Sequence, residues 1–522
     1  MIHTTSPLPR GLALAAAVLL SAAGALAAQG TETSACHTLA GQVTRALMER
    51  PIPLLDGVGH LHQKVTTTSK EAQSYYDQGF SLLSSFVWVE AARSFHEALR
   101  RDPELAMAHL GLARAFAEVY ANDDAWTHLK KAREIVDKGR LTAKEAKWIE
   151  IGTLRLEAVT APREERAEKH RRYKQGVDEL IALDLDDPNA WVLRGNAEES
   201  RPSGRGQAGG VGSVAYYEAA LKRDPKNLAA HHYLVHSYEN LMQPDLAYRH
   251  CQDYLAAAPA VPHAHHMCGH ILPRLGKWGE ALSTFETAYR LHRKSQQAEG
   301  TDPAEDWHWG HNLLLLGTTH LRLGQGREAE GAFREACRIA PRGLFGGSPC
   351  SAWLEYLVYA GRQEDALRAA DEVRKLPSTL AHIIAESLRG EALMALGRPG
   401  EARQALERTR ALKEKIIQEA KGTASEDTVP GYVEYFYIRI LDAELALLGE
   451  NPKAAEETLL QVANDVVDSP VIDSWANGMF QLERIAGHAE RAGRTELARA
   501  VRERIHKIDP QFPVKASGRA SR

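Results

Sequence analysis

From about residue 71 to about residue 510 the apolar and small side chains recur at three- and four-residue spacings. That is the spacing of amphipathic helices, and the every-second-residue alternation of half-buried strands is absent. The helical segments are punctuated at a longer interval. Pro225 and Pro259 stand 34 residues apart, and each closes a pair of helical segments. Alanine is abundant and aromatic residues make up only 7% of the chain. Helices of that composition approach one another closely through small side chains. The pattern predicts an all-α array of stacked helix pairs.

If the closing proline of a repeat is numbered 32, small residues fall at position 8, alanine at 20, a bulky residue at 24 and alanine at 27. The stretch from Ala72 to Pro103 has Gly79, Ala91, Phe95 and Ala98 there. The stretch from Pro262 has Gly269, Ala281, Phe285 and Ala288, with Gly276 at 15. The stretch from Gly310 has Gly317, Gly324, Ala329, Phe333, Ala336 and Pro341. Further pairs are marked by Gly361 and Ala366, by Gly390, Gly397 and Ala402, and by Gly493, Ala498 and Pro510. These residues resemble the tetratricopeptide repeat family. The resemblance implies a right-handed superhelical solenoid of antiparallel helix pairs, roughly nine to eleven of them over residues 71–512. Three polar insertions interrupt the interval: Arg201 to Gly212, Arg293 to Asp306, and Lys421 to Pro430. The first contains a literal GxGxxG, Gly204 to Gly209. Without a strand before it, the motif reads as a loop and not as a nucleotide cradle.

Histidine changes the picture. Of 23 in the chain, eleven lie between His231 and His311. In the repeats starting at Leu228 and Pro262 they occupy positions 5 and 9 both times, as His232 and His236, then His266 and His270. A separation of four residues stacks two rings on one helix face. Positions 2, 5, 9 and 12 form one stripe, which in the tetratricopeptide family lines the concave groove. Glu239 and His311 join this stripe, His311 as a candidate ligand and Glu239 as a candidate ligand, a group that orients a ligand, or a general base. His263, Arg274 and His308 are candidate groove residues. Crowded imidazoles repel on protonation unless a cation replaces the protons. Imidazole with one carboxylate suits zinc, copper, iron or nickel better than magnesium or calcium. In the concave groove the two histidine pairs could combine into one set of four nitrogens in a closed site, or the candidates could divide between two sites with open positions. His231, His265 and His109, all at position 4, are expected to pack between helices. His60 and His62 precede the first helix, either on a solvated leader or as further ligands. A groove that binds a protein or peptide segment is the alternative use of the stripe, and packing alone is a third.

A formal charge of −4, from 64 basic and 68 acidic residues, gives no pull toward nucleic acid. Arg10, the apolar run Gly11 to Ala23 and Ala25-Leu26-Ala27 read as a secretion signal over residues 1–27, removed on export. Residues 28–70 are then a leader and 513–522 a basic tail. The mature chain is expected to be exported, into the periplasm of a Gram-negative source, with no membrane span. Cys36 lies too far downstream to be a lipidation site. The other cysteines are Cys251, Cys268, Cys337 and Cys350. Without CxxC they form no redox or zinc-knuckle motif. Cys337 and Cys350 could bridge neighbouring helices or remain separate thiols.

A narrower resemblance rests on Val65-Thr-Thr-Thr-Ser69, Glu71-Ala-Gln73, Tyr76-Asp-Gln-Gly79, the His232/His236 pair, His266-Met-Cys-Gly-His270 and His311-Asn312. Together they resemble a histidine-rich bacterial subgroup of tetratricopeptide proteins and their eukaryotic relative, tetratricopeptide repeat protein 38. The resemblance covers about residues 60 to 340 and implies no particular activity. Cys268-Gly269 departs from the proline and serine common in that subgroup.

Overall fold

The computed structural model describes residues 45–119, 121–198, 210–339, 349–421, 426, 429–450, 452–468, 474–510 and 512. The proposed signal, Cys36, the GxGxxG loop and the basic tail lie outside them. Among the described residues there is helix and no strand. The first helices of the pairs begin at Lys70, Ala106, Ala143, Pro188, Leu228, Pro262, Trp307, Pro349, Thr379, Val429 and Met479. Each packs on the helix that follows it, and successive pairs pack on one another.

The predicted phase is visible in the packing. A Cβ on Gly79 would sit 2.7 Å from the Phe95 ring, one on Gly269 2.4 Å from Phe285, and one on Gly317 2.6 Å from Phe333. Position 8 is therefore glycine because position 24 fills the space where its side chain would go. The fold is a tetratricopeptide-type helical solenoid. In seven of the pairs the turn is taken by a left-handed residue at position 15. Gly276, Gly324, Gly361, Gly397 and Gly493 have φ between 71° and 78°. In two repeats that position is not glycine: Phe86 has φ 59° and Met242 φ 56°. A bulky residue pays a conformational cost there of roughly 1–2 kcal/mol.

The leader is neither solvated nor detached. Leu61, Gln63 and Val65 are buried while His60, His62, Lys64 and Thr66 are exposed, so the segment runs extended against the helices. The Leu61 amide donates to Ser81 Oγ at 2.8 Å, and the Val65 amide to Gln73 Oε1 at 3.1 Å. Further along, the Ala260 amide donates to the Gly57 carbonyl at 2.8 Å. The leader thus links the first helix pair to the middle of the array. His62 pairs with Asp77 at 2.8 Å and His60 is exposed, so neither acts as a ligand in the histidine centre.

The polar insertion Arg293 to Asp306 mostly prolongs a helix. Trp278–Glu299 continues through it, followed by a short turn at Pro303–Glu305. Two disulfides join helices, Cys337–Cys350 and Cys251–Cys268. The second was not anticipated. It fastens the helix Pro244–Ala257 to Pro262–Ile271, between His266 and His270.

Non-neighbouring repeats also touch. Arg93 pairs with Glu299 at 2.8 Å, and Arg322 with Asp509 at 2.6 Å. Trp475, on a π-helical turn at Ser474–Gly478, packs on Trp278 and Phe285 with ring centroids 5.9 and 6.2 Å away. These contacts close the array over the middle repeats. No helix among the described residues is long and apolar enough to cross a membrane.

Candidate metal centre

Closure seals the stripe of histidines away from solvent. His232, His236, His263, His266, His270, His308 and His311 are all buried, from 0% to 6% exposed. They also do not form one set of four. Each predicted pair recruits its third ring from the following helix. His232 and His236, on Leu228–Asn240, meet His263. His266 and His270 meet His311, on Trp307–Arg322. In each triad one ring nitrogen from every residue lies within 4.8 Å of the others. The triads adjoin, with the His263 and His266 rings 5.8 Å apart. His263, assigned only to the groove, is a member of the first triad. Glu239, a candidate for ligand, orienting group or base, lies outside both and stands behind His270.

Tautomers decide what the second triad can hold. The Asn312 amide nitrogen donates to the Phe285 carbonyl at 3.2 Å, which turns Oδ1 toward His266 Nδ1, also at 3.2 Å. An amide oxygen only accepts, so the His266 proton is on Nδ1. His270 Nδ1 faces Glu239 Oε1 at 3.3 Å, and that oxygen also takes Arg274 Nη2 at 3.3 Å. His270 is therefore protonated on Nδ1 as well. Both Nε2 atoms keep lone pairs, and they face each other at 2.9 Å. Two lone pairs at that distance repel unless a cation lies between or beside them. Burial, reinforced by the His270 and His311 rings, holds His266 well below its ordinary protonation range. A metal ion answers this arrangement better than a proton.

The first triad shares half of this logic. His232 Nδ1 donates to the Ser84 carbonyl at 2.7 Å, so its Nε2 is an acceptor. That atom lies 3.1 Å from His236 Nε2 and 3.0 Å from His263 Nε2. Burial takes His232 down to about 3, and holds His236 and His263 well below their usual range. Phe86 closes this triad, its ring centroid 4.5 Å from His232 and 5.3 Å from His263. The strained left-handed turn therefore aims an aromatic lid at the first triad. On the far side Trp475 lies edge-on to His270, 6.3 Å away.

Other histidine contacts here need no ion. His231 Nε2 donates to the Pro225 carbonyl at 3.0 Å, leaving Nδ1 to accept from His250 Nδ1 at 3.0 Å. His109 and His128 repeat this contact at 3.0 Å with the same 19-residue separation. His265 Nε2 donates to the Pro259 carbonyl at 2.9 Å. As expected, position 4 is structural: its ring bonds the carbonyl six residues back.

His308 sits between the first triad and a carboxylate. Its ring is 4.6 Å from His263 and 6.1 Å from His292. Burial alone would raise Asp306, but His292 at 2.7 Å, with His308 and Gln296, holds that carboxyl down at about 2. A cavity of about 470 Å³ opens on this corner. His263, His308, His292 and Asp306 line one end, and Phe86, Val87, Val89, Leu82 and Val261 contribute apolar wall.

No family model matches the sequence, and comparison with curated proteins finds no match either. Solved structures give distant likenesses. Yeast Tom70 is 14% identical over 85% of this chain and 91% of its own, with a TM-score of 0.38. An IFIT1 monomeric mutant with Gppp-AAAA is 13% identical over 91% and 99%, with a TM-score of 0.33. YrrB, described as a TPR protein with an unusual peptide-binding site, is 15% identical over 39% and 97%, with a TM-score of 0.27. Scores this low carry no shared superhelical geometry. The repeat fold stands on the glycine–aromatic contacts of this chain.

Proposed function

We propose that this chain is an exported solenoid protein that holds two transition-metal ions in a closed histidine centre. The observation that carries the reading is the pair of His266 and His270 Nε2 lone pairs, aimed at one point by Asn312 and Glu239. Three imidazoles per ion suit zinc, copper or iron. The first triad, beside the cavity, has room for a small ligand at a further coordination position. The second is walled by Trp475 and Phe285 and suits a structural ion. Two interhelical disulfides support an oxidising compartment, in keeping with the signal at residues 1–27. The histidine motifs support kinship with the histidine-rich bacterial subgroup.

The test is elemental analysis of untagged protein loaded with each metal in turn. Two equivalents are expected at the histidine triads. His232→Ala with His236→Ala should remove one, and His266→Ala with His270→Ala the other. Wild-type protein that retains no metal after anaerobic loading would overturn the reading.

A second reading, a scaffold for protein segments, is favoured by one observation. The helices already grip an extended segment, residues 57–67 of the chain itself, through backbone bonds to Gln73, Asp77 and Ser81. An extended peptide that displaced this leader without changing metal content would favour it.

A further inference from the structure

A second kind of buried cluster lies in the C-terminal half, away from the histidine triads. Position 9 of the helix stripe, histidine at His236 and His270, becomes glutamate at Glu355 and Glu391. Glu391 is on the helix Thr379–Ala395, Glu444 on Arg439–Ala446, and Arg484 and His488 on Met479–Arg491. Glu391 and Glu444 are each 1% exposed and His488 is 4% exposed. Arg484 Nε donates to Glu391 Oε2 at 2.5 Å, and Arg484 Nη1 lies 3.8 Å from Glu355 Oε2. Neither oxygen of Glu444 has a hydrogen-bond partner among the described residues, and nor does His488 Nε2. That nitrogen is 3.6 Å from Glu444 Oε2. One ligand atom from each of Glu391, Glu444 and His488 lies within 4.8 Å of the others.

The charges do not close. Three buried carboxylates, Glu355, Glu391 and Glu444, share one buried guanidinium, Arg484. Arg491 acts on Glu444 from the same helix but is itself exposed. Burying a carboxylate without hydrogen bonds costs several kcal/mol, and the usual remedies are a partner, a proton or a metal. Glu444 has no hydrogen-bond partner among the described residues, and its nearest polar neighbours are the His488 imidazole nitrogen and a second carboxylate. We infer that Glu391, Glu444 and His488 form a divalent-cation site separate from the histidine triads. Two carboxylates and one imidazole suit zinc, manganese or ferrous iron. Arg484 orients Glu391 by occupying Oε2, which leaves Oε1 for the ion.

The experiment uses the full chain and zinc alone. Wild-type crystals soaked in zinc and measured across its absorption edge should show an anomalous peak between Glu391, Glu444 and His488. In solution, Glu444→Gln and His488→Gln should each lower bound zinc by one equivalent and leave the equivalents of the triads in place. Loss of the second triad's metal in the His266→Ala/His270→Ala protein should leave this ion bound, so the two sites fail independently. Two results would overturn the inference. One is wild-type crystals with no peak at the cluster. The other is Glu444→Gln protein that binds as much zinc as wild type, which would mean that Glu444 is buried with a proton. The crystal measurement needs no variant and stands even if Glu444→Gln folds poorly.

Discussion

Replacing Glu239 by glutamine tests the tautomer argument directly. Glu239 touches no proposed ion. It acts through His270, whose Nδ1 lies 3.3 Å from Oε1, and it shares that oxygen with Arg274. Glutamine keeps the volume and one accepting oxygen but removes the charge. A hydrogen bond to a charged group contributes about 1.5–3 kcal/mol and a neutral one about 0.5–1.5, so the loss is about 1–1.5 kcal/mol. At about 1.4 kcal/mol per tenfold, metal affinity at the second triad should fall roughly tenfold. Carboxylates behind ligating histidines commonly give 10- to 100-fold effects, which brackets that figure. The assay is competition between untagged protein and a chromogenic chelator at pH 7.5, resolving two binding steps. Only one step should weaken. His231→Ala is the control: its ring is satisfied by Pro225 and His250, so both steps should stay put. If Glu239→Gln leaves both affinities within twofold of wild type, the His270 proton is not held as argued. The case for a cation between the two rings then fails.

Four further outcomes follow from the same packing. Gly269→Ala places a methyl group 2.4 Å from the Phe285 ring, and overpacking of this kind should cost roughly 1–3 kcal/mol, read as a lower denaturation midpoint; unchanged stability would void the repeat phase. Metal-free protein should lose stability as pH falls below about 6.5, because His232, lowered to about 3, stays neutral folded but takes a proton when unfolded; at pH 5 that is about 2 kcal/mol for this ring alone. Metal-loaded protein should keep its ions well below pH 6.5, since burial also holds back the competing protons; release already at pH 6.5, seen by dialysis, would show that the triads are solvated. Replacing Cys251 and Cys268 by serine opens a 17-residue loop and should cost about 3 kcal/mol in thermal melts, with metal content retained at saturating metal; an unchanged melting temperature would mean the bond does not form.

The repeat was legible because it is local. Gly269 and Phe285 sit within one helix pair, and their spacing alone says that one makes room for the other. The pairs His232/His236 and His266/His270 were legible for the same reason, being one turn apart on one helix. The third ring of each triad was not. His263 and His311 both sit at position 2 of the repeat, in the predicted stripe, but only the crossing of adjacent helices decides which pair each completes. Closure was hidden altogether, since Trp475 and Phe86 reach the middle repeats across hundreds of residues. One signal was available for Phe86: it stands at the left-handed turn position that most repeats give to glycine. A bulky residue placed there against its backbone preference marks a side chain with work to do. The Cys251–Cys268 bond had a similar hint, because Cys268 interrupts the histidine motif itself.

Closure and chemistry depend on each other in this fold. A histidine stripe in an open groove is solvated, and its rings would titrate near their ordinary values and bind metal weakly. Sealing it removes water, but sealing alone would leave several imidazoles buried with lone pairs facing one another, which destabilises the closed form. An ion reverses the sign of that contribution. The contacts that seal the centre also fix its protons: the Ser84 carbonyl, one residue before the Phe86 lid begins to turn, receives His232 Nδ1 at 2.7 Å. The first repeat therefore cannot swing away without freeing the tautomer that the first triad requires. Metal binding should tighten the contact between the first and the middle repeats, and loss of metal should loosen it. Hydrogen exchange along Leu83–Trp88, compared with and without metal, reads that coupling, and equal protection in both states would show that the lid is held by packing alone.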